Sequence, residues 1–146
     1  MTDVDEPFFS TTILSRVDAM APAIEAALSR LIERDWISED EVFFARLCLE
    51  EALVNAITHA NAQDSSRQVG LAMYEDGAYC RIEVQDEGRG AFQPKDVPPP
   101  EGAQLRGRGL CLIKHFMSDV DYSEDRRVLT MRFRREAFSQ GGACND

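Results

Sequence analysis

The stretch VGLAMYEDGAYCRIEVQDEGRG, residues 69–90, decides the fold. Val69 to Tyr74 and Tyr79 to Gln85 read as two strands. Asp76-Gly77 between them is a strong hairpin signal, because the tight connection needs a positive φ that glycine supplies without strain. In the second strand Cys80, Ile82 and Val84 share one face, and Arg81, Glu83 and Gln85 share the other. Asp86 continues the apolar parity. A carboxylate aimed at the core side, at the end of a strand, calls for a partner.

The elements that could cover the apolar face lie on both sides of this hairpin. Phe8 to Leu14 has β-forming content and suits an edge strand. From Asp18 to Arg34, Ala19, Ala23, Ala27, Leu28 and Leu31 form a helical stripe. Ser38 with Glu41 is a capping box. It opens a second helix from Glu39 to Ala60, with Val42, Leu49, Leu53, Ala56 and Ile57 at helical spacing. Downstream, Asp86 to Gly107 is irregular and carries Pro94 and Pro98-Pro99-Pro100. Such a long loop in a compact domain is usually functional or mobile. Leu110 to Met117 returns to helix, and Arg127 to Arg134 is a last strand with Leu129, Met131 and Phe133 on one face. Strand, two helices, hairpin, loop, helix, strand predicts an α+β fold: a two-layer sandwich with helices on one face of a mixed, mostly antiparallel sheet. One domain is expected over residues 8–135, with flexible tails at 1–7 and 136–146.

The chain has 146 residues, which suits one core, and its net charge is −10. Nucleic acid repels such a surface, and the arginines near Arg106 and Arg108 are too few for a duplex-binding face. No apolar run reaches the length of a membrane span, and the acidic N-terminus does not resemble a secretory signal. The cytoplasm is the expected compartment. Cys48, Cys80, Cys111 and Cys144 are scattered, without the pairing or histidines of a metal site.

Three motifs carry the chemistry. Glu51, Asn55 and His59 recur at i, i+4 and i+8, so an α-helix stacks them turn above turn. Alone, that triplet is what any solvated polar stripe displays. Asp86-Glu87-Gly88-Arg89-Gly90 follows a strand, where its glycines permit close approach of backbone to ligand. Gly107-Arg108-Gly109-Leu110 opens a helix, where free N–H groups can cradle phosphate.

Together and in this order, the three segments resemble the nucleotide-binding boxes of the gyrase, histidine-kinase and MutL-type ATPase superfamily. Within it the chain is similar to the anti-sigma-factor serine kinases, whose E-A-x-x-N-A-x-x-H helix matches Glu51 to His59. Leu112 to Val120 also resembles the helix that follows their glycine motif. The resemblance implies ATP and Mg²⁺ as cofactors. It implies that Asn55 holds the metal and Asp86 accepts from the adenine amino group. Gly88 and Gly90 would let the chain pass the base. Gly107 and Gly109 would line the phosphates, with Arg106 and Arg108 offering charge. Glu51 would be the general base, with Glu50 the adjacent alternative. The implied partners are a STAS-type anti-anti-sigma protein and a sigma factor, with no direct nucleic acid and no membrane; a homodimer is left open.

Two features depart from the family pattern. A threonine usual on the inward face of the last strand is absent, since Thr130 falls on the opposite face from Leu129, Met131 and Phe133. The loop from Ala91 to Arg106 carries nothing that identifies a partner. His59 suits packing at least as well as catalysis, and His115 reads as an ordinary helix residue. Two further readings stand beside the kinase: a module that binds nucleotide and partner without phosphorylating, and a catalytic domain cut from a larger two-component kinase. The folded start near Phe8 and the short tail after Arg135 speak against the last.

Overall fold

The computed structural model describes residues 6–60, 66–87 and 113–139, with the side chains of residues 59 and 60 excepted. Five strands form one sheet: β1 (Phe9–Leu14), β2 (Gln68–Asp76), β3 (Tyr79–Gln85), β4 (Asp119–Ser123) and β5 (Val128–Arg134). Their spatial order is β1-β2-β3-β5-β4, and all four pairings are antiparallel. The fold is the expected α+β sandwich, and its described part holds no parallel pair.

Period-two burial sets the sheet's orientation. Val69, Leu71 and Met73 of β2, Cys80, Ile82 and Val84 of β3, and Leu129, Met131 and Phe133 of β5 are all buried on one face. Two helices cover that face, α1 (Met20–Glu33) and α2 (Val42–Val54). The buried residues of α1 are Met20, Ala23, Ile24, Ala27, Leu28 and Leu31, the i, i+3, i+4, i+7 stripe of an amphipathic helix. A 3₁₀ turn, Glu39–Glu41, leads into α2. The Glu41 carboxylate accepts from the Ser38 N–H at 2.7 Å, which satisfies one of the donors a helix start leaves open. No helix among the described residues is long and apolar enough to cross a membrane.

The outer face of the sheet is polar. Arg132 pairs with Asp119 at 3.0 Å and Asp76 at 3.2 Å, and Arg81 pairs with Asp76 at 3.2 Å and Glu83 at 3.0 Å. Hydrogen bonding from Arg132, more than from Arg81, holds the Asp76 carboxyl below the usual carboxylate range.

Four details differ from the sequence reading. The hairpin turn is centred one residue later, on Gly77-Ala78, with Gly77 at φ 64°. Positive φ at the first central position is where a II′ turn demands glycine. The helix read to Ala60 is α-helical only to Val54, and Asn55–Ala60 is π-helical. Thr58 Oγ1 donates to the Val54 carbonyl at 2.7 Å, competing with the backbone ladder there. The helix read through Met117 is described over Ile113 to Phe116. Asp119 to Ser123, partly assigned to that helical segment, is strand β4, because β5 offers it a full ladder. Finally, Phe138 is 2% exposed, so the packed body passes the boundary read at Arg135.

Phe138 belongs to an aromatic chain. Its ring lies 5.0 Å from Phe133 and 5.1 Å from Phe116, and Phe133 meets Trp36 edge-on at 6.1 Å. Phe133 is fully buried at the middle of this chain. Phe133→Ala is expected to cost about 3–5 kcal/mol of stability. A lowered urea midpoint with an unchanged slope is the expected reading; an unchanged midpoint would show that the cluster adds nothing.

Candidate functional site

The site lies between the end of α2 and the β3-β5-β4 side of the sheet. Val84 pairs across to Leu129, and Leu129 to Tyr122, forming one row on the inner face. Above the row, α2 and the π-helical segment present Ala52, Asn55 and Ala56. The two short alanine side chains leave a narrow recess there against the sheet, with closed space of about 10 Å³. Asp86 and Tyr122 line it as well. The structure thus brings Asn55 and Asp86 to one cleft, 31 positions apart in sequence.

Asn55 is 3% exposed, and neither its side-chain oxygen nor its nitrogen has a hydrogen-bond partner among the described residues. Asn55 is therefore not part of a solvated stripe. A buried polar group without a partner costs about 1–3 kcal/mol. The backbone holds it there: the Asn55 N–H donates to the carbonyls of Glu51 and Ala52, where the α ladder passes into the π segment. Such π turns are frequent at functional sites.

Asp86 is 5% exposed, as its parity requires. Its Oδ1 accepts from Arg127 Nε at 2.9 Å, and its Oδ2 accepts from the Tyr122 hydroxyl at 3.0 Å. The Asp86 N–H donates to the Arg127 carbonyl at 3.0 Å. Arg127 sits at φ 58°, a left-handed conformation uncommon for arginine, and these two contacts with Asp86 hold it. The partner that parity demanded is thus supplied by the protein itself. Sequence reasoning missed both Arg127 and Tyr122. The alternation of Val120 and Tyr122 in a short strand was the available signal for the second.

Glu51 is half-buried one turn before Asn55 and is not among the residues lining the cleft. Its negative charge, after burial itself, helps push the Cys48 thiol up to about 12. Burial also raises the Cys80 thiol. Thiols held protonated in this way are poor nucleophiles. Glu50 is likewise half-buried. Thr130 faces outward, opposite Glu83 and Asp121, and Leu129 takes the place on the cleft. His115 is exposed. Gly88, Gly90, Arg106, Gly107, Arg108, Gly109 and the loop 91–106 lie outside the described residues, as do Cys111 and Cys144.

The donor set fits a nucleotide with Mg²⁺. A carboxylate in an apolar cleft can accept from an exocyclic amino group. An amide oxygen without a partner suits a hard cation that otherwise keeps waters and phosphate oxygens. Among the described residues no cluster of three His, Cys, Asp or Glu could cage a metal alone.

The histidine kinase-like ATPase domain, as a family, matches residues 13–133, from β1 to β5. The chain is similar to an anti-sigma F factor from Anoxybacillus flavithermus, 26% identical over 113 residues, covering 73% of this chain and 77% of that protein. It is similar to the serine/threonine-protein kinase BtrW of Bordetella bronchiseptica, 28% identical over 100 residues, covering 65% and 70%. It is also similar to the serine-protein kinase RsbW of Oceanobacillus iheyensis, 27% identical over 117 residues, covering 71% and 72%. In fold, it resembles the histidine kinase domain of a blue-light activated kinase from Erythrobacter litoralis, with TM-score 0.52 and 14% identity over 95% of this chain and 68% of that one. With a match that runs from the end of β1 nearly to the end of β5, the chain belongs to the histidine kinase-like ATPase domain family.

Proposed function

We propose that this protein is an ATP-dependent serine-protein kinase and anti-sigma factor of the cytoplasm. Its substrate is a STAS-type anti-anti-sigma protein, and its other partner is a sigma factor that it sequesters. The observation that carries the reading is the buried, unpartnered Asn55 amide on the same cleft as Asp86. The names of the relatives, anti-sigma F factor and serine-protein kinase, support the activity and the partner class.

Each residue then has a task. Asp86 accepts a hydrogen bond from the adenine amino group. Asn55 Oδ1 is the protein ligand for Mg²⁺. Gly107 and Gly109 offer backbone N–H groups to the phosphates, with Arg106 and Arg108 adding charge, and Gly88 and Gly90 let the chain pass the base. When bound there, Mg²⁺ would supply charge neutralisation for the phosphates. Glu51 takes or directs the proton of the attacking serine hydroxyl.

Phosphoryl transfer tests the reading directly. Labelled ATP, Mg²⁺ and the STAS-type antagonist encoded nearby should yield phosphate on a serine of the antagonist. One observation favours a second reading, a nucleotide-binding regulatory module without kinase activity: Glu51 does not line the cleft. ATP binding without transfer to any serine of a verified partner would establish that alternative. Asp86→Asn is expected to weaken ATP and ADP alike, by about 1–3 kcal/mol for an impaired buried hydrogen bond. Calorimetry with unchanged affinity for both would remove Asp86 from the site.

A further inference from the structure

The cleft has a polar end. Asp86 Oδ1 is held by Arg127, which is not among the residues lining the cleft. Oδ2 is held by the hydroxyl of Tyr122, which lines the cleft together with Asp86. An amino group entering from the cleft side meets Oδ2 and the hydroxyl bonded to it. The tyrosine comes from β4 and the aspartate from the end of β3, with β5 between them, so the contact closes the cleft's end across three strands.

We propose that Tyr122 is a self-blocking group of the base pocket: its hydroxyl holds on Asp86 Oδ2 the position that a ligand's amino group takes, and the base enters by displacing it. This rests on the nucleotide reading above. The physical reason is an exchange. Binding breaks one hydrogen bond to a charged acceptor and makes another, so the amino contact adds less affinity than it would to an open carboxylate. Tyr122 thereby also sets specificity. A ligand without an amino donor gains nothing from the aspartate and leaves the tyrosine in place. Arg127, on the far oxygen, keeps its contact in both states and acts as a positioning residue.

Tyr122→Phe keeps the ring and removes the hydroxyl. Affinities for ATP and for purine riboside triphosphate, which has hydrogen in place of the amino group, are measured by calorimetry on wild type, Tyr122→Phe and Arg127→Gln. Tyr122→Phe is expected to bind ATP about tenfold more tightly than wild type, the equivalent of one hydrogen bond to a charged group. The analogue should change by less than about twofold, and Arg127→Gln should show no tightening for ATP. Weaker or unchanged ATP binding by Tyr122→Phe would overturn the proposal and make Tyr122 a support for the bound base. Equal tightening of both ligands would overturn it too, because the cleft would merely have loosened. Tightening by Arg127→Gln equal to that of Tyr122→Phe would show that freeing Asp86 from either side suffices, and would remove the special place of Tyr122. A wild type that binds neither nucleotide ends the nucleotide reading and this inference together; a wild type that binds without the differential gain ends this inference alone.

Discussion

Glu51→Gln is expected to keep ATP and partner binding and to lose phosphoryl transfer by about 100-fold or more. A serine hydroxyl is a poor nucleophile at neutral pH, and a carboxylate can accept or direct its proton. Glu51 stands one turn before Asn55, whose N–H donates to the Glu51 carbonyl. The substitution preserves size and hydrogen bonding while removing the basic charge. Because transfer otherwise depends on alignment and charge stabilisation, the loss should fall on the chemical step. Single-turnover transfer to the antagonist, measured beside nucleotide affinity, separates the two. Normal transfer by the variant would discard Glu51 as the base.

Asn55→Ala should abolish Mg²⁺-dependent ATP binding without lowering the stability of the free protein. The Asn55 amide is buried with both ends unpartnered among the described residues, so removing it relieves a cost of about 1–3 kcal/mol. That relief offsets the packing forfeited when a small side chain is truncated. The wild type should gain about 2.7 kcal/mol at a Mg²⁺-ATP concentration 100-fold above Kd, seen as a rise in Tm. The variant should show no such rise. If the variant still responds to Mg²⁺-ATP, Asn55 is not the metal ligand. If its Tm falls by several degrees without nucleotide, the amide supports the fold and not a ligand.

The parts of the fold that obey a short period were legible in the sequence. The burial of Cys80, Ile82 and Val84, and of Asp86 after them, follows from alternation alone. The α1 stripe and the Ser38–Glu41 cap are equally local. The order of the strands was not legible, since β5 inserts between β3 and β4 through contacts made across the chain. Strand β4 was missed because its five residues, DVDYS, hold two apolar side chains and borrow their structure from β5. The pairing of Asp86 was hidden for the same reason: its partners lie 36 and 41 residues away. Asn55 was legible as a residue type but not as a buried orphan, because the switch to π geometry places no mark on the sequence.

The position of Phe138 links two regions that the sequence keeps apart. The described helical residues before β4 run from Ile113 to Phe116, a segment packed on the core. It is held because Ile113 and Phe116 are buried, and Phe116 rests on Phe138. The residues after β5 therefore act as a brace for the segment that follows the glycine motif. A protease clipping the chain just after Arg135 would remove no strand among the described residues, yet it would take the Phe138 ring from Phe116 and open the core at Phe133.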